Sequence, residues 1–223
     1  MLKVAFPLTV SDTVATYEIP YGTIARSTQL RNSWEKAKTE VPAQRWADLS
    51  SPDFGVALLN RSKYGYDIKG NLVRLSLLRS PKWPDPTADR GMHRIEYALY
   101  PHSGGWRVSN TVRRGYEYNA PLLAVIAGSH PGKLSTARSF VRLMPSNLVL
   151  TSIKKAEDGD AWIIQWYDAA GLDSRGVLEL PSKPKSAVVS SFLEDEGAPI
   201  TIKENSVVVE TKAHSVRTVR VTF

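Results

Sequence analysis

The chain has no cysteine, which excludes disulfide staples and thiolate metal sites and fits a reducing compartment. Histidine is almost as scarce: His93, His102, His130 and His214 are the four. None has a histidine partner at i+2 or i+4, and no HExxH spacing occurs, so no cofactor or zinc ion is expected on this chain by itself. Apolar runs of spanning length are missing, so no membrane association is expected. The opening MLKVAFPLTVSDTV is broken by Pro7 and soon followed by Asp12 and Glu18, unlike a secretory leader. A cytoplasmic location is the expectation.

Long runs of positive charge are also absent, although the formal net charge is +7. Residues 1–130 hold 17 Lys and Arg against 11 Asp and Glu, while residues 131–223 hold 12 against 11. The basic residues are scattered, with no run longer than Arg113-Arg114 or Lys154-Lys155. That is the pattern of a solvated surface, and no nucleic-acid partner is expected. Neither a GxSxG elbow nor a GxxxxGK[ST] phosphate loop occurs. A Ser-His-Asp site built from distant segments stays open at this level.

What is present is strand signal from end to end, punctuated by Pro, Gly, Asn and Asp. With 223 residues the chain can bury a real core unaided. Alternation places Ile95, Tyr97 and Leu99 on one face of a half-buried strand over 93–100, with Arg94 and Glu96 opposite. Trp162, Ile164 and Trp166 share a face in the same way, as do Val219, Val221 and Phe223. Gly70 suits a tight hairpin between Tyr64 to Ile68 and Leu72 to Leu78. Further turns are predicted at 156–160 and 194–197. One helix is expected from a Ser109 cap through Val112 and Tyr116, ended by Pro121, with a second short turn near Pro42 to Asp48. Segment 80–91, with three prolines, reads as a long loop, where function often sits.

Glycoside hydrolysis would need paired carboxylates. Asp85 and Asp89 lie in the proline-rich loop, and Asp158 and Asp160 lie in a turn, where Asp is favoured for backbone reasons alone. Flat aromatic faces are the other sugar-related signal. Trp162 and Trp166 read as core, whereas Trp83, between Pro81 and Pro84, is hard to bury and could touch a ligand or another domain.

The stretch Val41 to His102, VPAQRWADLSSPDFGVALLNRSKYGYDIKGNLVRLSLLRSPKWPDPTADRGMHRIEYALYPH, resembles the carboxy-terminal β-region of family 38 glycoside hydrolases, the zinc-dependent α-mannosidases. Val14 to Gly22, Asn32 to Lys38, Asn147 to Tyr167 and Ala213 to Phe223 resemble flanking and later family motifs. Thr23 to Arg31 departs by lacking the usual proline-centred form. The resemblance implies an all-β fold: part of a β-supersandwich, galactose-mutarotase-like, over 1–130, a linker over 131–147 and a smaller antiparallel β-sandwich over 148–223. It also implies that the zinc ligands, nucleophile and general acid belong to a catalytic domain with no counterpart here. Zinc is expected in that domain, the domain itself as a partner in the same chain or a separate subunit, and mannosides as substrate. The chain alone is then expected to be inactive. Arg79 resembles a family arginine that reaches toward the mannose site, where its fork of donors could hold vicinal hydroxyls. Arg90, Trp83 and Asp89 are the accompanying substrate or domain-interface candidates. The alternative is a free-standing carbohydrate-binding β-sandwich.

Overall fold

The computed structural model describes residues 1–223 as two units, Met1–Leu123 and Ala124–Phe223. The first contains β1 (Leu2–Pro7), β2 (Val14–Ile19), β3 (Gly22–Ser27), α1 (Ser33–Ala37), β4 (Val41–Pro42), β5 (Trp46–Ser50), β6 (Phe54–Asn60), β7 (Gly65–Lys69), β8 (Leu72–Leu78), β9 (Tyr97–Ser103) and α2 (Thr111–Asn119). Its strands form two antiparallel sheets, ordered β1-β8-β7-β4 and β3-β2-β5-β6-β9. Ala15, Tyr17, Ala47, Leu49, Val56 and Leu58 of the second sheet share one core with Tyr66, Ile68, Val73 and Leu75 of the first. Each large side chain so buried contributes about 1.5–3 kcal/mol.

The Gly70 hairpin forms as its sequence dictates. Lys69 pairs with Leu72, leaving a two-residue loop, and Gly70 sits at φ +56°, a conformation that costs glycine nothing. The strand expected over 93–100 starts at Tyr97 instead, and its alternation has the opposite sense. Tyr97 and Leu99 are 38% and 42% exposed, whereas His102 is buried. The cause is that β9 is an edge strand whose even-numbered residues face the layer containing α2.

Helix α2 begins at Thr111, not Ser109, whose hydroxyl bonds the Trp106 carbonyl and the Thr111 hydroxyl. Asn110 takes φ +58° at the cap position without a side-chain cap bond. The helix lies close to β5: a Cβ at Gly115 would fall 2.6 Å from Trp46 Cδ1, so this position needs a residue without a side chain. No helical turn occurs over 42–48: Pro42 ends β4, 43–45 form a bend and Trp46 begins β5. The second short helix is α1, capped by Asn32 accepting from Glu35 N–H at 2.9 Å.

The second unit contains β10 (Arg142–Met144), β11 (Leu148–Lys155), β12 (Trp162–Asp168), β13 (Ser174–Glu179), β14 (Ser186–Ser190), β15 (Glu196–Pro199), β16 (Thr201–Lys203), β17 (Ser206–Thr211) and β18 (Val216–Thr222). They form sheets ordered β10-β13-β17-β16 and β11-β12-β18-β14-β15. Strand β10 lies inside the segment 131–147 expected as a linker. Ile164, Trp166, Leu178, Val207, Val219 and Val221 meet in the core, and Trp166 Nε1 donates to Thr211 Oγ1 at 3.0 Å. The turn expected at 194–197 falls at 191–195, because Glu196 already pairs with Ser190.

Candidate functional site

Strand β8 delivers Leu78 to its pairing with Leu2, and Arg79 follows as the first residue free of the ladder. It is exposed and lines an open depression of about 450 Å³ with Met1, Glu40, Gly65 and Ser76. Glu40 accepts from the Ser76 hydroxyl and lies 3.6 Å from Lys3 Nζ. Arg79 enters none of the ion pairs of the chain, so its guanidinium retains its donors.

Beyond Ser80 the chain makes an excursion held by short-range bonds. Asp89 takes φ +59° and its Oδ2 accepts from Ser80 N–H at 2.8 Å, which ties the loop back to the end of β8. Its carbonyl lies 2.9 Å from His93 Nε2. Asp85 Oδ1 accepts from Thr87 N–H at 2.8 Å and from Thr87 Oγ1 at 2.7 Å, an Asx turn of the kind this residue favours. Those Thr87 bonds hold the Asp85 carboxyl below the usual range. Trp83 is 85% exposed, and Arg90 is exposed and pairs with neither Asp85 nor Asp89. The backbone thus places Arg79 and Asp89 at one strand end, linked through Ser80, while Trp83 and Arg90 project from the same loop.

This arrangement offers donors and a flat apolar ring. It offers no free acid and base, because Asp89 and Asp85 are occupied as acceptors within the loop. The second carboxylate pair is occupied as well. Asp158 lies 2.7 Å from Arg220 Nη1 and Asp160 lies 2.7 Å from Lys155 Nζ, and these cations hold both carboxyls low. A general acid for glycoside cleavage needs the opposite shift.

Asp48 and Asp168 are buried carboxylates that escaped sequence reasoning. Asp48 Oδ2 lies 2.7 Å from His102 Nε2, with side-chain exposures of 0% and 2%. The other ring nitrogen, Nδ1, faces the Gly104 carbonyl at 3.0 Å. Two acceptor oxygens around one imidazole favour N–H donors on both nitrogens, the imidazolium form. Burial opposes that charge, but Asp48 and the Gly104 carbonyl outweigh it, and the His102 pKa sits above its ordinary value. With both nitrogens engaged, His102 has none left to activate a serine, and no triad forms around it.

Asp168, at the end of β12, is fully buried. Its oxygens accept from the N–H groups of Ala170, Gly171, Leu172 and His214 at 2.7–3.2 Å and from Asn147 Nδ2 at 2.7 Å. Burial raises its pKa, yet the Asn147 and backbone donors prevail and hold it below the ordinary value. The Asp-Ala-Ala-Gly run after an alternating strand was the available signal, since Asp readily folds back on the next N–H groups. Both carboxylates are enclosed structural groups. No three His, Asp or Glu side chains converge so as to hold a metal ion, so the residues present do not fit zinc. No helix is long and apolar enough to cross a membrane.

Comparison with known proteins accounts for this architecture. Residues 1–87 match the model of the glycosyl hydrolases family 38 C-terminal domain, and residues 147–219 match that of the family 38 C-terminal beta sandwich domain. Alpha-mannosidase 2C1 of Homo sapiens is 39% identical over 209 residues, covering 92% of this chain and 20% of that protein. An alpha-mannosidase of Saccharomyces cerevisiae is 41% identical over 164 residues, covering 72% of this chain and 14% of that protein. The crystal structure of an alpha-mannosidase from Enterococcus faecalis V583 superimposes with a TM-score of 0.79 at 18% identity, over 98% of this chain and 25% of that one. That likeness shows the fold. The chain spans about a fifth of the length of its human relative. With both carboxy-terminal family models matched in order along an all-β chain, the protein belongs to glycoside hydrolase family 38, as its carboxy-terminal β-region.

Proposed function

We propose that this chain is the non-catalytic β-region of a zinc-dependent, retaining α-mannosidase acting on terminal α-mannosides, and that it packs on the catalytic domain and lends Arg79 to the sugar site. In this reading residues 1–130 are the carboxy-terminal part of a larger β-supersandwich and 148–223 the smaller sandwich, in a cytoplasmic enzyme. The observation that carries it is Arg79, exposed at the end of a paired strand, without a carboxylate partner, beside a loop tied down by Asp89. A guanidinium so placed can donate two parallel hydrogen bonds to vicinal sugar hydroxyls. Trp83 and Arg90 extend the same surface, while Asp89 acts by ordering the loop. Zinc would be supplied by the catalytic domain.

The test is steady-state hydrolysis of an aryl α-mannoside. The isolated chain is expected to show no turnover, and clear zinc-dependent turnover by pure material would overturn the reading. In the enzyme that carries this region, Arg79→Ala should lower kcat/KM by about 10- to 100-fold, as expected for loss of a positioned charged donor, with thermal stability unchanged. The exposed Trp83 indole favours a second reading, a free-standing mannose-binding module. That reading requires calorimetric binding of mannobiose by the chain alone, abolished by Trp83→Ala.

A further inference from the structure

Strand β4 is two residues long and pairs only with Tyr66 and Gly65, so the edge of β7 from Asp67 onward has no neighbouring strand. Across from it lies β3, the edge strand of the other sheet. The two sheets of the first unit part at this corner, and a pocket of about 430 Å³ opens between β3, β7 and the segment carrying α1. Two bonds fix its frame. Gly70 N–H donates to the Thr28 carbonyl at 3.0 Å, and Arg26 Nη1 donates to the Pro42 carbonyl at 3.0 Å. Ile24, Leu30, Val41 and the Tyr66 ring supply apolar wall. An apolar concavity with a few converging polar groups is the form of a small-molecule site, and this one lies near the lower end of the usual range of about 300–1,000 Å³.

Its polar groups differ in what they have left to offer. Arg26 is half-buried, its guanidinium lies 4.7 Å from the centroid of the Tyr17 ring, and it enters none of the ion pairs of the chain. Lys38 enters none either. Asp67, by contrast, is satisfied: its Oδ2 lies 2.6 Å from Arg74 Nη2 and 3.4 Å from Lys3 Nζ, and its Oδ1 lies 3.6 Å from Lys69 Nζ. Glu35 accepts from Arg31 N–H at 2.6 Å. The lining therefore sets Arg26, Lys38 and Lys69 against two carboxylates already engaged, and the unspent charge is positive. Tyr17 is 1% exposed, and burial pushes its phenol pKa up, so it offers a neutral O–H. A guanidinium held by stacking and one backbone bond, and paired with no carboxylate, is preorganised for an oxyanion.

The geometry points to a binding site for an anionic monosaccharide, a phosphate or carboxylate on a single sugar ring, with Arg26 holding the oxyanion and Tyr17 donating to the ring. The volume limits the ligand to a compact body. Sugar hydroxyls can accept from Tyr17 and donate to Glu35, while the apolar face of the ring meets the aliphatic wall. A wholly apolar ligand would leave these buried polar groups unmatched, and a polyanion would meet Glu35 and Asp67. The pocket shares no lining residue with the depression at Arg79 and is independent of the function proposed above.

The test is calorimetric titration of the chain with mannose 6-phosphate, mannuronate, mannose and inorganic phosphate. At least one of the two sugar acids should bind at least about tenfold more tightly than mannose or inorganic phosphate, the factor expected for a charge-assisted contact added to a ring that fits. The tighter of the two identifies phosphate or carboxylate as the anion. Arg26→Ala should weaken that binding by about tenfold or more. Because Arg26 also bonds Pro42, Leu30→Trp serves as a second variant. It fills the pocket from a position 41% exposed, keeps Arg26, and should abolish binding with thermal unfolding unchanged. Silence of both sugar acids would overturn the proposal, as would equal binding of mannose or of inorganic phosphate, or undiminished binding by either variant in folded form. Absence of mannosidase activity would leave these titrations untouched, so the two readings fail separately.

Discussion

Replacing Asp48 tests the reasoning about buried charge most directly. Asp48 and His102 form a pair with essentially no exposure, 2.7 Å apart, and the second nitrogen of His102 is taken by the Gly104 carbonyl. Removing one partner of such a pair leaves an uncompensated buried group and typically costs about 3–5 kcal/mol, so Asp48→Ala should destabilise the first unit by that amount. Asp48→Asn keeps the shape and supplies an amide N–H for a neutral imidazole, so its cost should be smaller, about 1–2 kcal/mol. The pH dependence gives a sharper distinction. His102 has a folded-state pKa raised above its unfolded value of about 6.5. The stability it contributes is therefore complete below that unfolded value and is lost as pH rises through the higher folded value. Urea unfolding read by hydrogen exchange of the β5 and β9 peptides isolates this unit from the other. Wild type should lose stability as pH rises above about 6.5, and Asp48→Asn should be flatter. An Asp48→Asn variant with the full wild-type slope would refute the imidazolium assignment.

Asp168→Ala should destabilise the second unit by about 4 kcal/mol or more, since it strands four backbone N–H groups and the Asn147 amide in a buried site. Asp168 also has a depressed folded-state pKa. Its contribution is present above the unfolded value near 3.9 and should fade as pH falls below it, as followed by acid titration of Trp166 fluorescence. Gly115→Ala should cost about 1–3 kcal/mol, because the new methyl must displace the Trp46 ring; thermal denaturation measures it. Trp83→Ala should change stability by no more than about 0.5 kcal/mol, the range for exposed positions, so any loss of activity it causes in the intact enzyme reports on the surface and not the fold.

The scaffold of the candidate site was legible and its wiring was not. Leu72 to Leu78 as a strand, Gly70 as its turn and the proline-rich excursion after Arg79 are local properties of the chain. That Asp89 closes the loop on Ser80 depends on the path of nine residues and on a positive φ at Asp89, and no spacing rule specifies that. Asp48 and His102 are 54 residues apart, so neither motif nor period could pair them.

Amino-acid order alone determined an all-β chain with turns at glycines and prolines, and a resemblance strong enough to indicate the family. These follow from local stereochemistry and from side-chain alternation. Tertiary structure decided which face of each strand is inside. In β9 alternation is equally compatible with burying Leu99 or His102, and the placement of α2 over the sheet selects His102. It also left Arg79 exposed at the end of β8. A sequence period reports which residues share a face, and only the neighbouring layer determines whether that face meets protein or water.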